Sequence, residues 1–150
     1  MKLLYKQWIW RSIAAVYLCT LLYLVFFAER RRGKVLFQHR EWNILPLRDK
    51  WFYVKSWGTL HPAIKYVFIE NLIGNIFLFI PFSFLLFFLF RIHKFRNNIL
   101  LCFFASFSIE LMQFITGKGV ADIDDVILNT IGGMLGFVIA MWFNKIKGRS

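Results

Sequence analysis

The sequence predicts an all-α, polytopic membrane bundle of about four transmembrane helices, with an interfacial first loop. Three observations carry this. Four apolar runs approach or exceed the roughly 20 residues that a bilayer core demands of a helix. Of the 150 residues, 59% are hydrophobic and 20% aromatic, with 19 Phe, more apolar surface than one soluble domain of this length would hide. The basic residues cluster at the ends of the runs and not along a stripe. A net charge of +11 therefore reads as topological signalling plus attraction to anionic lipid headgroups, not as nucleic-acid binding.

Residues 1–28 form an N-terminal tail and a first span. Its apolar run covers 12–28, with Lys2, Lys6 and Arg11 before it and Arg30, Arg31 and Arg32 after it. The run is long and no A-x-A-like cleavage site follows, so it is expected to stay as an uncleaved helix. It carries no polar group of note and reads as an anchor.

Residues 29–65 are basic, with Trp42, Trp51 and Trp57 interspersed. Tryptophan favours the headgroup level, which places this loop on the membrane surface. Pro46 breaks any helix there. Residues 66–144 hold three further spans, and 145–150 form a basic C-terminal tail. The second run, 66–90, carries Glu70, Asn71 and Asn75 in its first half and Pro81, expected to kink it, in its middle. The third, 99–115, carries Glu110 and Gln113. Gly117-Lys118-Gly119 marks a turn, and Asp122-Ile-Asp124-Asp125 leads into the fourth run, 126–143.

The two cysteines, Cys19 and Cys102, lie inside apolar runs without metal-ligand spacing and read as buried free thiols. His39, His61 and His93 likewise lack ligand spacing and fit loop or interfacial positions.

Sidedness follows from basic residues in short loops. With the 29–65 loop set aside, one orientation places nine Lys and Arg in the cytoplasm against one outside. Both termini are then cytoplasmic and the acidic loop extracytoplasmic. Arg30 to Arg32, beside the first span, oppose this.

In either orientation the polar groups of the last three spans collect at one membrane face. Asn71 and Asn75, Glu110 and Gln113, and Asp125 and Asn129 are pairs three or four residues apart, each on one helix face. Glu110 lies roughly 10 Å below the Gly117 turn at about 1.5 Å per residue. A carboxylate at that depth must face protein or a wet cavity, and intramembrane acids are functional by default. Gln113, Asn75 and Asn71 are its expected hydrogen-bond partners. Simpler roles stand beside these. Asp122 and Asp125 also suit helix capping. Asn71 and Asn75 also suit interhelical hydrogen bonding, and Gly132, Gly133 and Gly136 close helix packing.

Three ordered motifs carry a family resemblance. They are Asn71-Leu-Ile-Gly-Asn75-Ile-Phe-Leu-Phe-Ile-Pro81, then Ser108-Ile-Glu110-Leu-Met-Gln113, then Asp122-Ile-Asp124-Asp125-Val-Ile-Leu-Asn129-Thr-Ile-Gly132-Gly133-x-x-Gly136. Together with Asn43-Ile-Leu-Pro46-Leu47, they resemble the VanZ-like family of bacterial membrane proteins across roughly residues 12–143. Two positions depart from it. Lys118 is the nearest cation where many members carry an arginine before the acidic motif, and Leu47 stands where an aromatic is usual. Lysine does not reproduce the bidentate geometry of arginine.

The resemblance implies a cell-envelope protein, with the founding member associated with low-level resistance to the lipoglycopeptide teicoplanin. Three functions follow for weighing. The first is a non-enzymatic protein whose outer polar site binds membrane lipid, a lipid-linked cell-wall precursor or an amphiphilic antibiotic. The second is a membrane-embedded enzyme acting on a lipid or phosphate headgroup. It would use Mg²⁺ or Ca²⁺ on oxygen ligands drawn from Glu110, Asp122, Asp124 and Asp125. No P-loop, nucleophile elbow or zinc motif accompanies them, which favours the first reading. The third is a small oligomeric transporter, for which four spans without an internal repeat is a slight framework.

Overall fold

The computed structural model describes residues 2–26, 45–117 and 121–148. Five helices account for nearly all of them: α1 Lys2–Phe26, α2 Arg48–Lys55, α3 Pro62–Phe88, α4 Phe95–Thr116 and α5 Ile123–Lys147. Four are long and apolar enough to cross a bilayer, with mean hydropathies of 1.6, 2.0, 1.8 and 1.9 for α1, α3, α4 and α5. At about 1.5 Å per residue, even the 22 residues of α4 exceed a hydrocarbon core about 30 Å thick. Large apolar side chains face outward along all four, among them Trp8, Phe77, Phe104 and Val138. That surface suits lipid, which carries no penalty for it.

Local chemistry sets the helix ends. Pro62 opens α3 at a position where its missing N–H costs nothing, and His61 Nδ1 accepts the Ala63 N–H at 3.3 Å. This start lies four residues before the expected one, so the interfacial segment is shorter than its composition implied. Gly117, at φ 66°, closes α4 in the left-handed conformation that glycine adopts freely. Asp122 caps α5, its Oδ1 accepting the Asp124 N–H at 2.9 Å. α3 continues through Pro81 to Phe88.

The bundle is built on α5. Gly132 and Gly136 press its backbone onto α3, where an added Cβ would collide with the carbonyl oxygens of Ile76 and Ile80. Gly133 faces the other way, and its Cβ would stand 2.7 Å from Cys102 Sγ on α4. The three glycines thus serve two seams, and small residues are what allow both. Phe87, Phe137 and Ala140 fill the space between α3 and α5 toward the α3–α4 loop.

α1 packs more loosely, with 17% of its apolar window buried against 44% for α5. It is nevertheless more than an anchor. Leu21 and Val25 join Phe79, Leu86 and Cys102 in one apolar cluster. Tyr17 donates its hydroxyl to the Leu78 carbonyl at 2.6 Å. Cys102 is buried as expected, while Cys19 lies on the exposed face of α1.

α2 is a short helix whose Trp51, Phe52 and Val54 are exposed, as an interfacial segment would be. It is tied to the start of α3 through Phe68, whose ring lies 5.6 Å from Tyr53 and 5.9 Å from Trp57.

Candidate functional site

The polar groups gather where α4 ends and α5 begins, under the α2 segment. Asp122, at the mouth, lies between two elements. Its backbone N–H donates to Glu110 Oε2 of α4 at 3.2 Å. Its Oδ2 lies 3.9 Å from the Lys50 ammonium of α2. Glu110 is 3% exposed and Asp124 and Asp125 are 1% and 2% exposed, so these carboxylates are inside the protein. Two acids in the first turn of α5 also meet the positive end of its helix dipole.

Asp124 fastens the interfacial loop. Its Oδ1 accepts the Leu47 N–H at 2.6 Å, and its Oδ2 lies 3.5 Å from Lys50 Nζ. Leu47 takes up φ 63°, a conformation unfavourable for a branched side chain. The Leu47 carbonyl then accepts the Trp51 N–H at 2.7 Å, starting α2. The side chain of Leu47 is exposed, so its contribution to the site is its backbone amide. Lys118 lies outside the described residues, and so do Asn43 and Ile44. Among the described residues, the cation that meets the acidic motif is Lys50, 74 residues before Asp124 in the chain.

Deeper in the bundle, Asn129 donates its Nδ2 to Ser106 Oγ at 2.8 Å. Gln113 donates its Nε2 to the carbonyl of Val25 at 2.8 Å. That carbonyl belongs to the last described turn of α1. Asn75 is 2% exposed on α3, whereas Asn71 is only half-buried. Asn75 Nδ2 and Asn129 Oδ1 are buried without a hydrogen-bond partner among the described residues. Buried polar atoms are almost always satisfied, so these two amide atoms mark open positions in the site.

Sequence reasoning missed a second polar cluster nearer the opposite face. Ser83 donates to Asn98 Oδ1 at 2.7 Å, and Asn98 Nδ2 returns bonds to the carbonyls of Ser83 and Ile92 at 3.3 and 3.4 Å. The signal was available. Asn98, Cys102, Ser106 and Glu110 recur every four residues, and all are buried on one face of α4.

Among the described residues no three His, Cys, Asp or Glu side chains gather as a ligand set. The Lys50 ammonium already offsets the charge of Asp122 and Asp124, where a divalent ion would have to compete. No metal-dependent step is derived from this geometry.

A helical bundle of membrane-spanning length, sealed by a glycine seam and holding carboxylates and amides at one end, defines a multi-pass membrane protein with an internal polar site. Residues 14–144 match the family described as VanZ/LLP1, and the chain belongs to that family. It is 33% identical over 135 residues to Protein VanZ of Enterococcus faecium, covering 90% of this chain and 75% of that protein. No solved structure matches it.

Proposed function

We propose that this VanZ-family protein works without catalysis at the outer face of the cell membrane. Its internal polar site engages the head of a lipid-linked wall precursor or of an amphiphilic antibiotic, lowering teicoplanin susceptibility. One observation carries the reading. Among the described residues, Asn75 Nδ2, a donor, and Asn129 Oδ1, an acceptor, are left open inside a bundle where the buried Glu110 and Asp124 carboxylates already have charged or backbone partners. An open donor and an open acceptor suit a neutral polar head such as a sugar or amide. The outer-face assignment rests on the nine-to-one distribution of basic residues in the short loops.

The test is expression in a teicoplanin-susceptible host. The wild type raises the inhibitory concentration, and Asn75→Ala loses that effect without losing thermal stability, because the Asn75 amide donor has no hydrogen-bond partner to forfeit among the described residues. Unchanged susceptibility and unchanged wall-precursor lipids with the wild type would overturn the reading. A cytoplasmic signal from a reporter fused after residue 120 would overturn the outer-face assignment.

A further inference from the structure

At the other end of the bundle, a cavity of about 740 Å³ opens between the first part of α1 and the last turns of α3 and α5. It falls within the size range of small-molecule and lipid sites, about 300–1,000 Å³. Phe84, Phe88 and Phe143 form its apolar wall, and Arg11, Arg91 and Lys147 stand among its lining residues. The wall is braced by ring contacts, with Phe84 lying 4.6 Å from Phe88 and 6.2 Å from Phe143 between centroids. Three cations and no acid are found among the described residues that line it.

The cavity exists because α1 touches the bundle elsewhere. Among the described residues, the hydrogen bonds that tie it to the other spans are donated by the Tyr17 hydroxyl and accepted by the Val25 carbonyl. Toward its N-terminus it leaves a wedge, and a wedge inside a bilayer fills with hydrocarbon, not with water. The cations then stand where a headgroup would lie.

The backbone at Arg91 adds an independent point. Arg91 has φ 56°, just past the end of α3, where Ile92 N–H closes back on the Leu86 carbonyl at 3.0 Å. Glycine is the residue favoured at such a helix end, and arginine there is held at a conformational cost. The chain keeps a guanidinium at this corner of the cavity despite that cost.

We infer that this cavity is a seat for an anionic phospholipid, its acyl chain against Phe84, Phe88 and Phe143 and its phosphate among Arg11, Arg91 and Lys147. This site lies at the opposite end of the bundle from the acidic one and does not depend on the function proposed for it. Lys145 and Lys147 also suit the negative end of the α5 dipole. That role would not discriminate between lipids.

The experiment uses the full-length protein in a neutral detergent, read by thermal unfolding and by native mass spectrometry. Phosphatidylglycerol, phosphatidylcholine and inorganic phosphate are titrated separately. Phosphatidylglycerol is expected to stabilise saturably and to remain as a single retained adduct, with the other two giving neither effect. Each removed cation should weaken this binding about fivefold, the worth of one basic residue at an anionic surface. Arg91→Gly is the decisive variant. It relieves the left-handed backbone, so the lipid-free protein unfolds at the same or a higher temperature while lipid binding falls. Leu89→Trp, which adds bulk to a lining position, should exclude the adduct. Lys94→Gln, in the same loop, and Arg96→Gln, in the first turn of α4, lie off the cavity lining and should leave binding unchanged. Equal stabilisation by phosphatidylcholine, an effect of inorganic phosphate alone, or full binding by Arg91→Gly would overturn the inference.

Discussion

Replacing Lys50 with methionine removes the cation from two aspartates at once while keeping a side chain of similar reach. The Lys50 ammonium lies 3.5 Å from Asp124 Oδ2 and 3.9 Å from Asp122 Oδ2. At an effective dielectric of about 20, each contact corresponds to roughly 4–5 kcal/mol of Coulomb attraction before desolvation is subtracted. Removing one partner of a buried pair costs about 3–5 kcal/mol, chiefly because the other charge is left without compensation. Lys50 keeps 14% of its side-chain exposure while Asp124 keeps 1%, so water recovers part of the loss for the lysine only. We expect Lys50→Met to destabilise the fold by about 3 kcal/mol, at the lower end of that range. Asp124→Asn keeps an acceptor for the Leu47 N–H and removes only the charge. The double variant Lys50→Met with Asp124→Asn should therefore recover about 2 kcal/mol relative to the sum of the singles, as coupled neighbours do. Reversible unfolding in mixed micelles, with denaturing detergent raised stepwise, measures all four corners of the cycle. Additivity within about 0.5 kcal/mol would refute the claim that this pair clamps α2 to the head of α5.

Two further predictions concern packing. Gly136→Ala should destabilise by at least about 1–3 kcal/mol, because its Cβ meets the Ile80 backbone and not a side chain that can turn away. Gly58→Ala is the matched control, since nothing lies within 4 Å of its added Cβ, and the same unfolding assay should show almost no change. Asn98→Ala should cost about 2–3 kcal/mol by stranding Ser83 Oγ and two carbonyls inside the bundle. Asn98→Asp, which replaces the amide donor with an acceptor, should do no better in that assay.

Several of these positions were visible in the chain before any tertiary structure. Glu110, Asp124, Asp125 and Asn129 are ionisable or amide groups inside or against apolar runs, where their cost in lipid makes them conspicuous. Gly132 and Gly136 declared a close seam by their four-residue spacing. Gly133, between them, required the structure to show that it serves α4 and not α3. Asn71 and Asn75 looked equivalent by spacing, yet only Asn75 is buried, because burial depends on which helices flank α3. The Asn98-Cys102-Ser106 stripe was legible in principle, but small polar residues in a span carry a weak individual signal. The docking of α1 left no trace in its own residues at the hydrogen bond to Val25. Gln113 reaches a main-chain carbonyl at Val25, and every residue offers one of those.

The sequence by itself determined that the chain is a bundle of membrane-length helices. It also determined that carboxylates and amides would collect at one end, and that glycines would let helices approach closely. These are consequences of hydrophobic length and helical period, both local properties. The tertiary structure alone decided that Lys50 meets Asp122 and Asp124 and that Asp124 holds the Pro46–Leu47 turn. It also decided that a basic, aromatic-walled cavity opens at the far face. Those features arise from side chains tens of residues apart in sequence, so no local pattern encodes them.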